Sequence, residues 1–473
     1  MPGARDSKSA ELFMVFNVAI VGSGPAGFYA AEALLCSGIP VRVDMFDRLP
    51  VPFGLVRYGV APDHQKLKAV TAVFERIADN PHFSFVGNLD IGREVQVSQL
   101  QAAYHGVVLA TGAIGDRSLD IAGEDLPGSV SATELVGWYN GHPDFRDKSF
   151  DFSHPTAVVI GNGNVALDVC RILSKSVDEL RRSDICEHAL DELAASNITD
   201  VVLIGRRGPV QAKFTAKELR ELGELDEVQP VVDPAELQLD PASIDEIQRS
   251  AAAARNLEIL RGFAHRLETA TKRRRIHFRF LLAPYSIEGT RTVEQVNFER
   301  LRLSGQTGNQ GGTPSGQYVS IPTNLVVRSV GYRGISIPGV PFDERSATIV
   351  QQKGRVIDRD GNAVRGLYVA GWIKRGPNGI VGTNRACAIE TIELVLADLI
   401  ATSFESSDLR RELFLATLRG RSLKLIDFQG WRRIDALERA DGAAKAKPRE
   451  KLTRVSAMLK ASERALIRSG SDI

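Results

Sequence analysis

Two glycine patterns in this chain have the spacing that lets a backbone approach a phosphate. One is Gly22-Ser23-Gly24-Pro25-Ala26-Gly27, and the other is Gly161-Asn162-Gly163-Asn164-Val165-Ala166. In such a pattern the first glycine permits a tight turn and the second admits a pyrophosphate. The third small residue lets a helix pack closely on its strand. Asp47 stands about 20 residues beyond the first pattern, where a carboxylate accepts hydrogen bonds from ribose hydroxyls. Beyond the second pattern a strand ends in Arg206-Arg207. Two planar guanidinium forks suit a ribose 2′-phosphate, where an acid would suit a free 2′-hydroxyl.

The elements that must position these residues are legible around them. Residues 16–21 are a short apolar run, residues 28–35 have helical character, and residues 41–46 form a second apolar run ending at Asp47. Strand, turn, helix, strand and terminal acid occur in that order, which a bare glycine-rich turn does not provide. The helix N-terminus would offer free N–H groups and a positive dipole end to the phosphates. The second pattern repeats the plan with a strand at 156–160, a helix at 167–175 and a strand at 200–204, the last delayed by a helical insertion at 176–198.

Elsewhere, the prolines and glycines of 49–64 read as a structured loop, followed by a helix over 65–78. Strands are expected near 83–86 and 106–110. The latter stops at Gly112, where the backbone can approach a ligand. Thr215 and Glu218 have capping-box spacing. The basic run 272–279 reads as a strand with one charged face, and the Gly/Ser/Gln/Thr-rich segment 304–317 as a flexible loop. Apolar strands follow near 325–332 and 366–372, then a helix over 385–401 and a charged helical tail.

Two nested fingerprints imply an α/β chain with two Rossmann-like dinucleotide-binding domains, the second inserted in a discontinuous first. The expected division is 10–112 (FAD-binding, first part), 113–325 (NADP-binding) and 326–473 (FAD-binding, second part). A net charge of +1 argues against a general nucleic-acid binder. No apolar run reaches the roughly 18 residues of a membrane helix, and no signal core is evident, so the expectation is a cytoplasmic protein off the membrane. Cys36, Cys170, Cys186 and Cys387 form no C-x-x-C pair, which disfavours a redox disulfide, a zinc ribbon or a cysteine-held cluster, and no metal site is expected.

The chain resembles the adrenodoxin-reductase-type family of NADPH–ferredoxin reductases, bacterial members above all. Beyond the two fingerprints, the resemblance rests on Pro52-Phe53-Gly54-Leu55-Val56-Arg57-Tyr58-Gly59-Val60-Ala61-Pro62-Asp63-His64, on Gly205-Arg206-Arg207-Gly208-Pro209 and on Gly371-Trp372-Ile373-Lys374-Arg375-Gly376-Pro377. It implies FAD contacts at Ala26, Asp47, Leu55, Leu89, Trp372, Gly379, Ile380 and Val381, beside the turn residues Gly22, Gly24, Pro25, Gly27 and Gly112. It implies NADP contacts at Arg117, Asn162, Gly163, Asn164, Val165, Arg206, Arg207, Glu218 and Gly379. His64 and Glu221 match the family's polar pair near the flavin and are the catalytic candidates. Asp47 stands where many members have glutamate; either holds ribose.

The implied activity is electron transfer from NADPH/NADP+ through FAD to a ferredoxin-type iron–sulfur protein, the partner expected to be acidic and the reductase monomeric. Arg255, Arg261 and the run Lys272, Arg273, Arg274, Arg275 are candidates for its docking face. Alternative readings are a glutamate-synthase small-subunit-like subunit, which should bring a cysteine-rich N-terminal segment, a thioredoxin-reductase-like enzyme, which needs a cysteine pair, and a nucleotide-binding sensor.

Overall fold

The computed structural model describes residues 15–266, 272–379, 381–401 and 408–463. Ile380, one of the expected cofactor residues, lies outside the described residues, as do 10–14 and 464–473 of the expected domains.

Two sheets organise the chain. In the first, Ala363–Val369, Gly106–Leu109, Phe16–Val21, Val41–Phe46 and Phe83–Val86 run parallel side by side, with Gln351–Gln352 and Arg355–Ile357 added antiparallel at one edge. All six residues of Phe16–Val21 are buried, as a strand covered on both faces requires. The second sheet is parallel throughout, in the order Ser129–Ser131, Leu325–Arg328, Thr156–Ile160, Asp200–Ile204, Arg274–Arg279, Val228–Val232. Each glycine pattern sits at the C-terminal end of a central strand, where open α/β sheets bind ligands.

Leu325–Arg328 hydrogen-bonds into the second sheet, so the crossing back to the first unit falls after Arg328 rather than at the expected 325/326 step. The two crossings pair with each other, Gly115–Asp116 lying antiparallel to Tyr332–Arg333.

Three sequence expectations need correction. The segment 304–317 is largely strand: Gly311–Pro322 pairs antiparallel with Gln295–Ser304, which in turn pairs with Leu282–Glu288. Its polar composition reflects an edge strand exposed along its length, while Val296 and Phe298 of its neighbour are buried. The helix expected over 65–78 is two pieces, Gln65–Lys68 and Thr71–Ala78. Thr215 makes no side-chain capping bond to its helix; its N–H is instead donated to Asn164 Oδ1 at 2.8 Å.

Helix Phe428–Ala443, in the charged tail, packs into the core beside the first glycine turn. Trp431 meets Phe53 edge-on, with ring centroids 5.5 Å apart. From the same helix, Glu438 is fully buried and accepts two bonds from Arg57, at 2.5 and 2.9 Å. The long loop that carries the specific motif is thereby fastened to the tail. Among the described residues no helix is long and apolar enough to cross a membrane, and no cluster of His, Cys, Asp and Glu could hold a metal ion.

Candidate dinucleotide sites and the seam between them

At the first turn Gly22 has φ +106°, and a Cβ there would lie 2.5 Å from the carbonyl oxygen of Ala110. No other residue type fits that position. Helix Pro25–Leu35 follows with Gly24 as its N-cap, and no side chain caps its first N–H groups. Nothing lies within 4 Å of where a Cβ would stand at Gly24 or Gly112. The result is open space in front of uncapped donors, a fit for a pyrophosphate.

Asp47 closes the far side. Its Oδ2 accepts bonds from the backbone N–H and hydroxyl of Ser23, at 2.9 and 2.5 Å, and its Oδ1 accepts the Leu49 N–H at 2.9 Å. The carboxylate is thus aimed by three local donors, and Ser23, itself fully buried, is a residue the sequence did not single out. Leu55 opens the short helix Leu55–Tyr58. Leu89 is fully buried and donates its N–H to the Asp47 carbonyl at 2.9 Å.

The second turn repeats the geometry. Gly161 has φ +139°, and a Cβ there would fall 2.1 Å from the Ser329 carbonyl oxygen. Helix Asn164–Ser174 starts after Gly163, again with no side-chain cap, and Gly163 again faces open space. Two buried oxygens at this turn lack a partner, Asn162 Oδ1 and Glu218 Oε2. A buried acceptor left unpaired costs about 1–3 kcal/mol, so both fit donation from a bound nucleotide. Glu218 is therefore not spent on capping. Arg206 is exposed and Arg207 half-buried at the strand end, and neither guanidinium bonds to another described residue.

Arg117 lies on the crossing segment. It lines a cavity of about 450 Å³ with Gly331, Ser346, Thr348, Arg375 and Asn378. Trp372, half-buried, donates its indole N–H to the Asn378 carbonyl at 3.1 Å, and its ring centroid lies 5.5 Å from that of Tyr332. Burial pushes the Tyr332 hydroxyl well above the usual phenol range. Gly379 has φ +83°, and Val381 packs partly buried against the first core.

The two units meet at His64. Its Nε2 lies 3.0 Å from Glu221 Oε2, on the helix Ala216–Gly223 of the second unit. Its Nδ1 lies 3.8 Å from Asp168 Oδ1, on the helix of the second glycine turn. The predicted His64–Glu221 pair is thus brought together, and sequence reasoning missed the second carboxylate. Burial raises the Asp168 carboxyl, against the pull of Arg171 and His64. Asp63, one residue before His64, is also pushed up by burial, but hydrogen bonds and charge from Arg171 and Lys175 hold it well below the usual carboxylate range.

The expected docking run is partly committed to the fold. Lys272 Nζ donates to the Leu225 carbonyl and Arg274 Nη1 to the Lys175 carbonyl, each at 2.5 Å, and Arg275 pairs with Asp200 at 2.8 Å. Arg273, Arg255 and Arg261 are exposed.

Comparison with known proteins places these features in context. A family model described as pyridine nucleotide-disulphide oxidoreductase matches residues 16–222. The chain is 44% identical to NADPH-ferredoxin reductase FprA of Mycobacterium tuberculosis, over 94% of this chain and 98% of that one. It is 41% identical to a mitochondrial NADPH:adrenodoxin oxidoreductase of Arabidopsis thaliana, over 92% and 93%. A solved structure of Mycobacterium tuberculosis FprA in complex with NADPH superimposes with a TM-score of 0.89 at 44% identity, covering 95% of this chain and 99% of that one.

Proposed function

Since the chain belongs to the adrenodoxin-reductase-type family of NADPH–ferredoxin reductases, we propose that it passes electrons from NADPH through FAD to a ferredoxin-type iron–sulfur protein. The observation that carries this reading is the 3.0 Å contact between His64 and Glu221, which joins the two dinucleotide units between their glycine turns.

When bound, FAD would supply the redox chemistry, with hydride taken in from NADPH and electrons given out singly. The chain's own groups bind, orient and shield. The uncapped helix N-termini behind Gly24 and Gly163 receive the two pyrophosphates. Asp47, aimed by Ser23, holds one ribose. Arg206 and Arg207 grip the 2′-phosphate of the other, and Arg117 and the free oxygens of Asn162 and Glu218 take further contacts. Trp372, in ring contact with Tyr332, would stand beside the flavin. His64 is held between Glu221 and Asp168, at the seam where charge changes during turnover.

The matched family model is named for disulphide chemistry, but all four cysteines here are free and three are buried. Burial pushes the Cys186 thiol up to about 11. Thiols that stay protonated make poor nucleophiles. These free thiols also suit the reducing cytoplasm, where we place the protein. We read the partner as acidic, on the support of the exposed Arg255, Arg261 and Arg273, and the reductase as acting alone.

The test is an absorbance spectrum of the purified protein with and without NADPH. A yellow protein that NADPH bleaches, and that then reduces cytochrome c only with a ferredoxin present, is the expected result. A colourless protein that cannot be loaded with FAD would overturn the reading.

A further inference from the structure

Helix Asn164–Ser174 and the residue after it carry Asp168, Arg171 and Lys175 at i, i+3 and i+7, on one face. That face meets the loop Pro62-Asp63-His64 of the other unit. Arg171 is 2% exposed and grips Asp63 with two bonds, Nε to Oδ2 at 2.9 Å and Nη2 to Oδ1 at 3.0 Å. The same Nη2 lies 2.9 Å from Asp168 Oδ1 of its own helix. Lys175 adds a third bond to Asp63 at 3.0 Å. Asp168 in turn is the carboxylate 3.8 Å from His64. One buried guanidinium therefore ties the flavin-side loop to the helix whose N-terminus is the NADP-side glycine turn.

A bidentate arginine–carboxylate pair contributes fixed geometry as well as energy. A buried pair is in fact weak evidence for stability, because desolvation offsets much of its attraction. Such a pair at the junction of two half-sites has its main consequence in registration. Hydride transfer tolerates little misplacement: about 1 Å costs on the order of 10²-fold in rate. Both reacting rings are held by different units, so their separation depends on what fastens the units together.

We propose that Arg171 is a positioning residue for hydride delivery, its grip on Asp63 and Asp168 fixing the second glycine turn and His64 in register across the seam. The inference rests on the NADPH-to-FAD reading above. The nucleotide's phosphate end is held elsewhere, by Arg206 and Arg207. Loss of the clamp should then change the rate at saturating NADPH far more than the affinity.

Three readouts on the FAD-loaded full chain test this, in Arg171→Met, Arg171→Lys and the paired Asp63→Asn/Arg171→Gln variant. They are the stopped-flow rate of flavin bleaching at saturating NADPH, the NADP+ dissociation constant by calorimetry, and amide exchange over residues 60–66. Expected for Arg171→Met are a bleaching rate at least about tenfold lower, an NADP+ dissociation constant within about threefold of the parent's, and faster exchange in 60–66, with Arg171→Lys recovering part of the rate. Should Arg171→Met fail to load FAD, the paired variant, which removes both members of the bidentate pair and leaves Asp168 facing His64, should load and show the same pattern. A rate within about threefold of the parent's, or an affinity loss as large as the rate loss, overturns the proposal. A parent chain that NADPH does not bleach overturns the functional reading instead. Unchanged exchange in 60–66 overturns the clamp in either case.

Discussion

Lys68 and Asp184 meet across the seam, the buried ammonium donating to both carboxylate oxygens at 2.6 and 2.8 Å. Lys451 of the C-terminal segment reaches the same carboxylate at 3.2 Å, and Asn140 accepts from both lysines. Four segments far apart in sequence thus converge on one buried point, one turn beyond His64.

This junction makes stability depend on acid. Burial raises the Asp184 carboxyl, but Lys451 and Lys68 outweigh it and hold it at about 2, against an ordinary 3.8. A depressed carboxyl contributes stability that is present above its unfolded value and lost as pH falls through its folded one, here between about 4 and 2. The contribution is about 2 kcal/mol. Burial and the Lys451 charge pull the Lys68 amine down to about 7 even beside Asp184, so Asp184→Asn, which leaves Lys68 and Lys451 without their shared carboxylate, should lower stability at pH 7 by about 3–5 kcal/mol. Its stability should also fall less steeply than the parent's between pH 4 and 2. Denaturant unfolding of both proteins across that range checks the difference, and parallel pH profiles would count against it.

Asp47 should govern FAD retention. Its removal strips a ribose acceptor and leaves Ser23, fully buried, with an unpartnered hydroxyl and N–H. A hydrogen bond to a charged group contributes about 1.5–3 kcal/mol. Asp47→Ala should therefore weaken FAD binding roughly 10- to 150-fold. Asp47→Glu should retain most of it. Fluorescence titration of the apoprotein with FAD measures both.

Arg206 and Arg207 should set cofactor choice. Replacing both by alanine should raise the Michaelis constant for NADPH by at least about 100-fold and leave NADH nearly unchanged, at about 1.5–3 kcal/mol per arginine–phosphate contact. Ferricyanide assays with each nucleotide decide it. Equal loss with both would make the pair structural.

No thiol should take part in turnover. Cys170, Cys186 and Cys387 are buried, and Cys387 Sγ accepts the Gly371 N–H at 3.3 Å. Alkylating the exposed Cys36 of the folded protein should leave NADPH-driven ferricyanide reduction intact, and so should serine at all four positions in a variant that folds and loads FAD. Inactivation of such a variant would point to disulfide chemistry.

What the sequence made legible was contiguous. Each glycine turn, with its strand, helix and strand-end residues, is one local string, so the parallel order around Phe16–Val21 and Thr156–Ile160 follows from it. The edge strand Gly311–Pro322 hid because solvent on its faces erases the apolar alternation by which strands are recognised. The seam hid for a different reason. His64 and Glu221 are 157 residues apart, and Asp63 and Arg171 are 108 apart. Family resemblance supplied the first pair. The second pair went unread, because nothing local names what the helix face bearing Asp168, Arg171 and Lys175 meets.

The last expectation concerns the partner. A run of four cations at 272–275 looked like a docking patch, yet Lys272 and Arg274 cap backbone carbonyls and Arg275 is paired with Asp200. Substituting them would disturb the fold as well as any docking. The exposed Arg273, Arg255 and Arg261 are the better probes. Redox partners bury little surface, so long-range attraction dominates how fast they meet. Screening shortens from about 8 Å at physiological salt to about 3 Å at 1 M. Ferredoxin-coupled cytochrome c reduction should therefore fall steeply with salt, while reduction of a neutral quinone should not. Charge reversal of Arg255, Arg261 and Arg273 to glutamate should slow the ferredoxin assay by at least about tenfold at low salt and flatten its salt dependence. The quinone assay should be spared. If both assays respond alike, or neither does, the docking face lies on another part of the surface.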